Sequence, residues 1–146
     1  MFKTTFLFLL LVHILGDFYF QSDELAQQKN TSPGSLLKHC IIYAVICLLA
    51  VLPLYNFPLW GGIFLGVSHA VIDIIKYFYF KEKPPEKHIN PEEIRLVYIF
   101  DQLLHLTTMV IIAFVITATN YYISVLPEVN WFFNIEYYDQ KTYLTA

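Results

Sequence analysis

Apolar residues fill four long stretches of the chain, from about Phe2 to Gln21, Leu36 to Leu54, Phe57 to Phe80 and Ile94 to Val125, with polar or proline-marked segments between them. Each is about the 20 residues a helix needs to cross a bilayer, where every backbone polar group must find its partner inside the segment. Pro53 and Pro58 bracket a turn too short for anything but an antiparallel hairpin between the second and third stretches. Asn90, Pro91 and Glu93 supply a capping side chain, a first-turn proline and an acid at the positive end of the helix dipole. The fourth helix is therefore expected to start in water and enter the membrane near Arg95. The pattern predicts an all-α integral membrane four-helix bundle over residues 1–126, with short loops. Residues 127–146 carry Trp131, Phe132, Phe133, Tyr137 and Tyr138 among acids and read as an interfacial aromatic tail. Lys3 and the first apolar run would also suit a signal peptide, but no small-residue cleavage site follows, and His13 and Asp17 would be odd in a discarded segment.

Ionisable residues interrupt these stretches at one recurring spacing. HILGD holds His13 and Asp17, HAVID holds His69 and Asp73, and DQLLH holds Asp101 and His105. Residues four apart on a helix differ by about 40° of rotation and ~6 Å of rise, so each pair shares a face. The first and third spans run towards one side of the membrane and read His then Asp; the fourth runs back and reads Asp then His. All three aspartates thus lie on the loop side of their histidines, which fall roughly 10 to 12 residues from the other end, near mid-membrane at ~1.5 Å per residue. The second span adds His39 near its loop-side end and Tyr43 one turn deeper. An ionisable residue at mid-span costs roughly 2.5 to 3.5 kcal/mol, so three lipid-facing aspartates would cost about 8 to 10 kcal/mol. The expected arrangement is one polar cluster facing the bundle interior.

Imidazole with carboxylate is the usual donor set for zinc, manganese or iron, and a cation would neutralise the clustered acids. His13, Asp17, His39, His69, Asp73, Asp101 and His105 are the expected metal ligands, enough for one or two divalent ions. Asp17, Asp73 and Asp101 are the candidate catalytic groups, one of them free to act as general base. Gln21 continues the face of Asp17 and suits a ligand or a helix cap. Tyr98 can reach the face of Asp101 or sit in an aromatic belt. Lys76 is expected to snorkel or to meet an anionic headgroup. Gln102 points about 100° away from Asp101 and reads as a helix contact. His88, in KEKPPEKHINPEE, reads as solvated. The same residues would also serve as hydrogen-bonded packing glue between helices.

Composition agrees with a membrane protein: 57% of the 146 residues are hydrophobic and 14% charged, with mean hydropathy +0.52. A net charge of -3 with no basic amphipathic face excludes a nucleic-acid partner. Cys40 and Cys47 are roughly 10 Å apart along one helix at ~1.5 Å per residue and are expected to be free thiols. Seven of the nine Lys and Arg residues fall in or beside the loops between spans one and two and between spans three and four. Those loops are expected in the cytoplasm, with both termini outside an inner, cytoplasmic membrane.

HILGDFYFQ, LLKH, HAVID and DQLLH, in that order, resemble the HxxGDFxxQ, LLxH, HxxxD and DQxxH motifs of the membrane family called domain of unknown function 3307, over about Phe2 to Met109. A more distant likeness is to membrane-bound metal-dependent hydrolases, which also carry HxxxD helices. That likeness implies metal binding by His13, Asp17, His69 and Asp73.

The leading functional expectation is a metal-dependent hydrolase at the cytoplasmic membrane face, acting on lipid or lipid-linked phosphate esters. The alternatives are an ion or metal transporter or sensor, and a structural subunit whose partner is another membrane protein or a second copy. A nucleophile elbow, a phosphate-binding glycine loop and a dinucleotide fingerprint are all missing from the sequence. The topology is directly testable: a single cysteine introduced at position 85 should resist a membrane-impermeant thiol reagent in intact cells and react after lysis. Labelling from outside would invert the orientation.

Overall fold

A computed structural model describes residues 1–54, 57–82 and 90–119. Over these it is all-helical: α1 (Phe2–Ile14) runs into a π-helical turn (Leu15–Tyr19), followed by a short α2 (Asp23–Gln28), α3 (Pro33–Val51), α4 (Leu59–Lys81) and α5 (Pro91–Ala118). Four segments are long and apolar enough to cross a membrane: Phe2–Tyr19, Pro33–Val51, Leu59–Lys81 and Pro91–Ala118. Their starts follow local chemistry. Ser32 caps α3 through the Ser35 amide with Pro33 in the first turn, and Asn90 accepts from the Glu92 amide ahead of Pro91 in α5. The aromatic tail and His88 lie outside the described residues.

The long helices close into a ring in which α4 packs against α3 and α5, and α1 against α5 and α3. Buried positions recur every three or four residues: Thr5, Leu9 and His13 in α1; His39, Tyr43, Cys47 and Val51 in α3; Leu65, His69, Asp73 and Tyr77 in α4; Asp101, His105, Met109 and Ala113 in α5. That spacing is one stripe per helix. The ring's surface is the reverse of a soluble protein's. Leu11, Ile41, Leu49, Phe64, Ile75, Phe100 and Phe114 are all exposed, whereas Asp73, His39 and His69 are at most 1% exposed. Only an apolar solvent around the ring makes that distribution favourable.

Inside, the bundle is divided along its axis. Leu9, Val12, Cys47, Val51, Phe57, Leu65, Met109, Ile112, Ala113 and Ile116 form an apolar core at one end, and the ionisable side chains occupy the end nearer α2. Cys40 and Cys47 are free thiols.

Two features depart from four plain spans. The first helix widens after Ile14, where the Phe20 amide reaches back five residues to the Leu15 carbonyl at 2.8 Å, so that Asp17 is carried on a π-turn of the kind that often marks functional sites. The chain then folds back as α2, capped by Ser22 accepting from the Leu25 amide at 3.2 Å, and buries Leu25, Lys29 and Asn30 against the bundle. At the π-turn, a Cβ on Gly16 would lie 2.6 Å from the Tyr43 ring, and that ring is held by stacking on His69 with centroids 3.5 Å apart. Gly16→Ala should therefore destabilise the protein by about 1 to 3 kcal/mol through overpacking. Gly34→Ala, whose nearest neighbour would be 3.9 Å away, should leave the melting temperature in detergent nearly unchanged.

Candidate metal centre

Burying three carboxylates in a membrane bundle demands compensating charge, and two lysines supply part of it. Lys29, at the end of α2, donates from Nζ to Asp17 Oδ1 at 2.8 Å, to Asp73 Oδ2 at 3.2 Å and to His39 Nε2 at 3.1 Å. Lys76, one turn beyond Asp73 on α4, donates to Asp101 Oδ2 at 2.8 Å and lies 3.1 Å from Asp73 Oδ1. Asp73 thus stands between two ammonium groups. All five of these charged side chains are at most 5% exposed.

The histidines form the adjoining layer. The ring centroids of His69 and His105 lie 4.4 Å apart, those of His13 and His105 5.1 Å, and those of His39 and His69 5.2 Å. The Tyr43 hydroxyl is 3.0 Å from His13 Nδ1. Gln102 joins the layers: its Oε1 is 3.4 Å from His13 Nε2, and its amide nitrogen donates to Asp17 Oδ2 and Asp101 Oδ2 at 3.3 and 3.2 Å. His105 Nδ1 donates to the Asp101 carbonyl at 2.9 Å. Its Nε2 therefore carries a lone pair, and that buried atom has no hydrogen-bond partner among the described residues.

Two groups of donors have a metal-ligand arrangement: Asp17, His39, His69 and Asp73, and, sharing Asp73, a second group of Asp73, Asp101 and His105. In the first, the two imidazole Nε2 atoms face each other at 2.9 Å. His39 Nε2 is 3.1 Å from Asp73 Oδ2 and 3.4 Å from Asp17 Oδ1. His69 Nε2 is 3.4 Å from Asp73 Oδ2 and 3.9 Å from Asp17 Oδ1. A tetrahedral site with bonds of ~2.0 to 2.1 Å has ligand-to-ligand edges of about 3.3 Å. His39, His69 and Asp73 bracket that value as a tight face, and Asp17 stands slightly farther off. The Lys29 ammonium engages three of these four donor atoms, so a bound metal ion would take its place as their shared cation. The donor set could hold a metal ion.

This cluster is the setting in which the family relationship acquires meaning. A family model described as Protein of unknown function (DUF3307) matches residues 5–133. The chain belongs to that family. The match takes in all four spans and every residue of the cluster, so in this DUF3307 protein the ionisable core is part of the family domain. A search of curated proteins and a search of solved structures returned no significant match.

Of the residues expected from sequence, Asp17, His39, His69, Asp73, Asp101 and His105 fall in the two donor groups. His13 joins the cluster through Tyr43 and Gln102 instead. Tyr43 is buried at its centre. Tyr98 is partly exposed, and its hydroxyl accepts from Asn30 Nδ2 at 2.9 Å. Gln21 is half-buried, and its Oε1 has no hydrogen-bond partner among the described residues. Two expectations are corrected. Lys76 neither snorkels nor meets a headgroup, because Asp73 and Asp101 hold it inside; Gln102 reaches the cluster after all, because its side chain spans the gap between α5 and the Asp17 turn. Lys29 and Gly16 carry no expected role in the sequence. Lys29 sits in a polar loop, where only its place 12 residues from Asp17 and the fold-back of α2 bring it into the core.

Removing one partner from a buried ionic network leaves an uncompensated charge. Lys29→Ala should accordingly cost about 3 to 5 kcal/mol in chelator-treated protein. Exposed Lys38→Ala should stay within about 0.5 kcal/mol. Unfolding monitored by circular dichroism in detergent measures both.

Proposed function

We propose that the cluster holds one or two divalent transition-metal ions, zinc or manganese/iron, and that the protein is a metal-dependent hydrolase of lipid-linked phosphate esters at the membrane face nearest α2. We take that face as the cytoplasmic one because, among the described residues and with the two buried lysines set apart, Lys38, Lys81 and Arg95 lie towards it, against Lys3. The observation that carries the reading is the tight face of His39, His69 and Asp73 with Asp17 standing beyond it. Three protein ligands and a nearby carboxylate are the pattern of catalytic sites, and loading an ion there would require Lys29 Nζ, which bonds Asp17, His39 and Asp73, to move aside.

When bound, the metal supplies Lewis acidity and makes water nucleophilic at neutral pH. Asp17, held by Lys29 through Oδ1 and by Gln102 through Oδ2, would stand beside such an ion as a fourth donor, or as a proton acceptor once Lys29 moved aside. Lys29 and Lys76 hold the three carboxylates in place by ion pairs in a water-poor interior. Asp101 positions Lys76, and Tyr43 positions His69 by stacking. Leu25 and Asn30 of the fold-back segment are buried against the bundle, Asn30 through the Tyr98 hydroxyl.

A second reading draws on Lys29 and Lys76 themselves: two ammonium groups already divided among three carboxylates suit a metal-free packing core in a structural subunit. Elemental analysis and thermal melting separate the two. A metal centre predicts stoichiometric metal in protein purified without chelator. Saturation at 100 times Kd contributes about 2.7 kcal/mol, so chelation should lower the melting temperature by about 5 to 10 °C. Asp73→Asn should lose both metal and chelator response, and His88→Ala neither. Metal-free protein that melts identically with and without chelator would leave only the packing core.

A further inference from the structure

The outward face of α5 is not uniformly convex. Arg95, Tyr98, Ile99, Gln102, Leu103 and Leu106 line an open, almost wholly apolar groove of about 550 Å³. Arg95 stands at its loop-side end, and from there the groove runs roughly 16 Å along α5 at ~1.5 Å per residue. Behind the Tyr98 ring, 5.3 Å from its centroid, the Lys76 ammonium is ion-paired with Asp73 and Asp101, so Arg95 is the cationic side chain among the groove's lining residues. Midway, Gln102 lines the groove and also hydrogen-bonds Asp17 and Asp101 and approaches His13. The groove therefore touches the metal-centre cluster through one side chain.

We infer that this groove binds a single anionic phospholipid, its phosphate on Arg95 and one acyl chain along Ile99, Leu103 and Leu106, and that Gln102 is the contact through which a lipid there reaches the buried cluster. The sign of the rim fixes the headgroup class, since a guanidinium at the interface pairs with phosphate and the rest of the groove offers only apolar contact. A soluble phosphate would leave that apolar length unfilled. The role as substrate entrance rests on the hydrolase reading; the binding itself does not.

Native mass spectrometry of the full chain in detergent tests it, with dioleoyl phosphatidic acid, dioleoyl phosphatidylcholine and inorganic phosphate as probes. One phosphatidic acid should be retained per chain, about tenfold more tightly than phosphatidylcholine, with no retention of inorganic phosphate. Arg95→Gln should weaken retention about tenfold, and Leu103→Trp, which fills the groove, should abolish it. Ile75→Trp, on the exposed face of α4, should change nothing. Asp73→Asn should still retain phosphatidic acid, so a metal-free protein that binds it in the groove defeats the hydrolase reading alone. Metal-loaded protein in which Arg95→Gln and Leu103→Trp retain the lipid like wild type defeats the groove alone. Equal retention of both lipids also overturns the inference, as does a Leu103→Trp change that splits a dimer while leaving lipid retention intact.

Discussion

Neutralising Asp17, Asp73 and Asp101 inside a bilayer-embedded bundle is the constraint on which the rest of the structure depends. The surrounding solvent is hydrocarbon, so these carboxylates can face neither outward nor an uncompensated interior. Three of the long helices answer in the same way, by placing a His-Asp pair on the stripe that packs inward, and α3 adds His39 there. The answer extends to segments that sequence pattern alone assigns to water. The chain between the first two spans turns back so that Lys29 enters the core, and the first span relaxes into a π-turn that carries Asp17 towards it. The apolar half of the bundle, by contrast, is assembled from ordinary interdigitated side chains and has no such demand.

Much of this was legible in the sequence because hydrophobic length and four-residue spacing are local signals. HILGD, HAVID and DQLLH specify both the face and the depth of six ionisable groups before any tertiary contact is known. His39 and Tyr43 followed from the same periodicity. Lys29 was not legible, since a lysine in a polar loop has the same local pattern whether it is solvated or folded back 12 residues onto an acid. The side chains of Lys76 and Gln102 are long enough to reach around their helices, so rotation counted at Cα understated where their polar ends go. The π-turn has no strong sequence signal beyond Gly16, whose need for space emerges only when Tyr43 packs against it.

Lysine and metal are two solutions to one electrostatic problem, and the cluster contains the groups for both. An ammonium reaches three of the first group's donors at 2.8 to 3.2 Å, whereas the donors themselves are spaced for much shorter bonds to a single ion. Lys29 thus ties the fold-back segment to these donors. The groove on α5 meets the same cluster from the lipid side through Gln102. The fold-back segment and the outer face of α5 thus both reach one set of donors, through Lys29 and through Gln102.

The central claim is that His39, His69 and Asp73 ligate a metal, and X-ray absorption at the edge of the metal that copurifies tests it most directly. The account predicts a shell of nitrogen and oxygen only, at about 2.0 to 2.1 Å for zinc, with the outer-shell scattering of two imidazoles, lost in His39→Ala. No metal above background, or a shell containing sulfur at about 2.3 Å from Cys40 or Cys47, would contradict it.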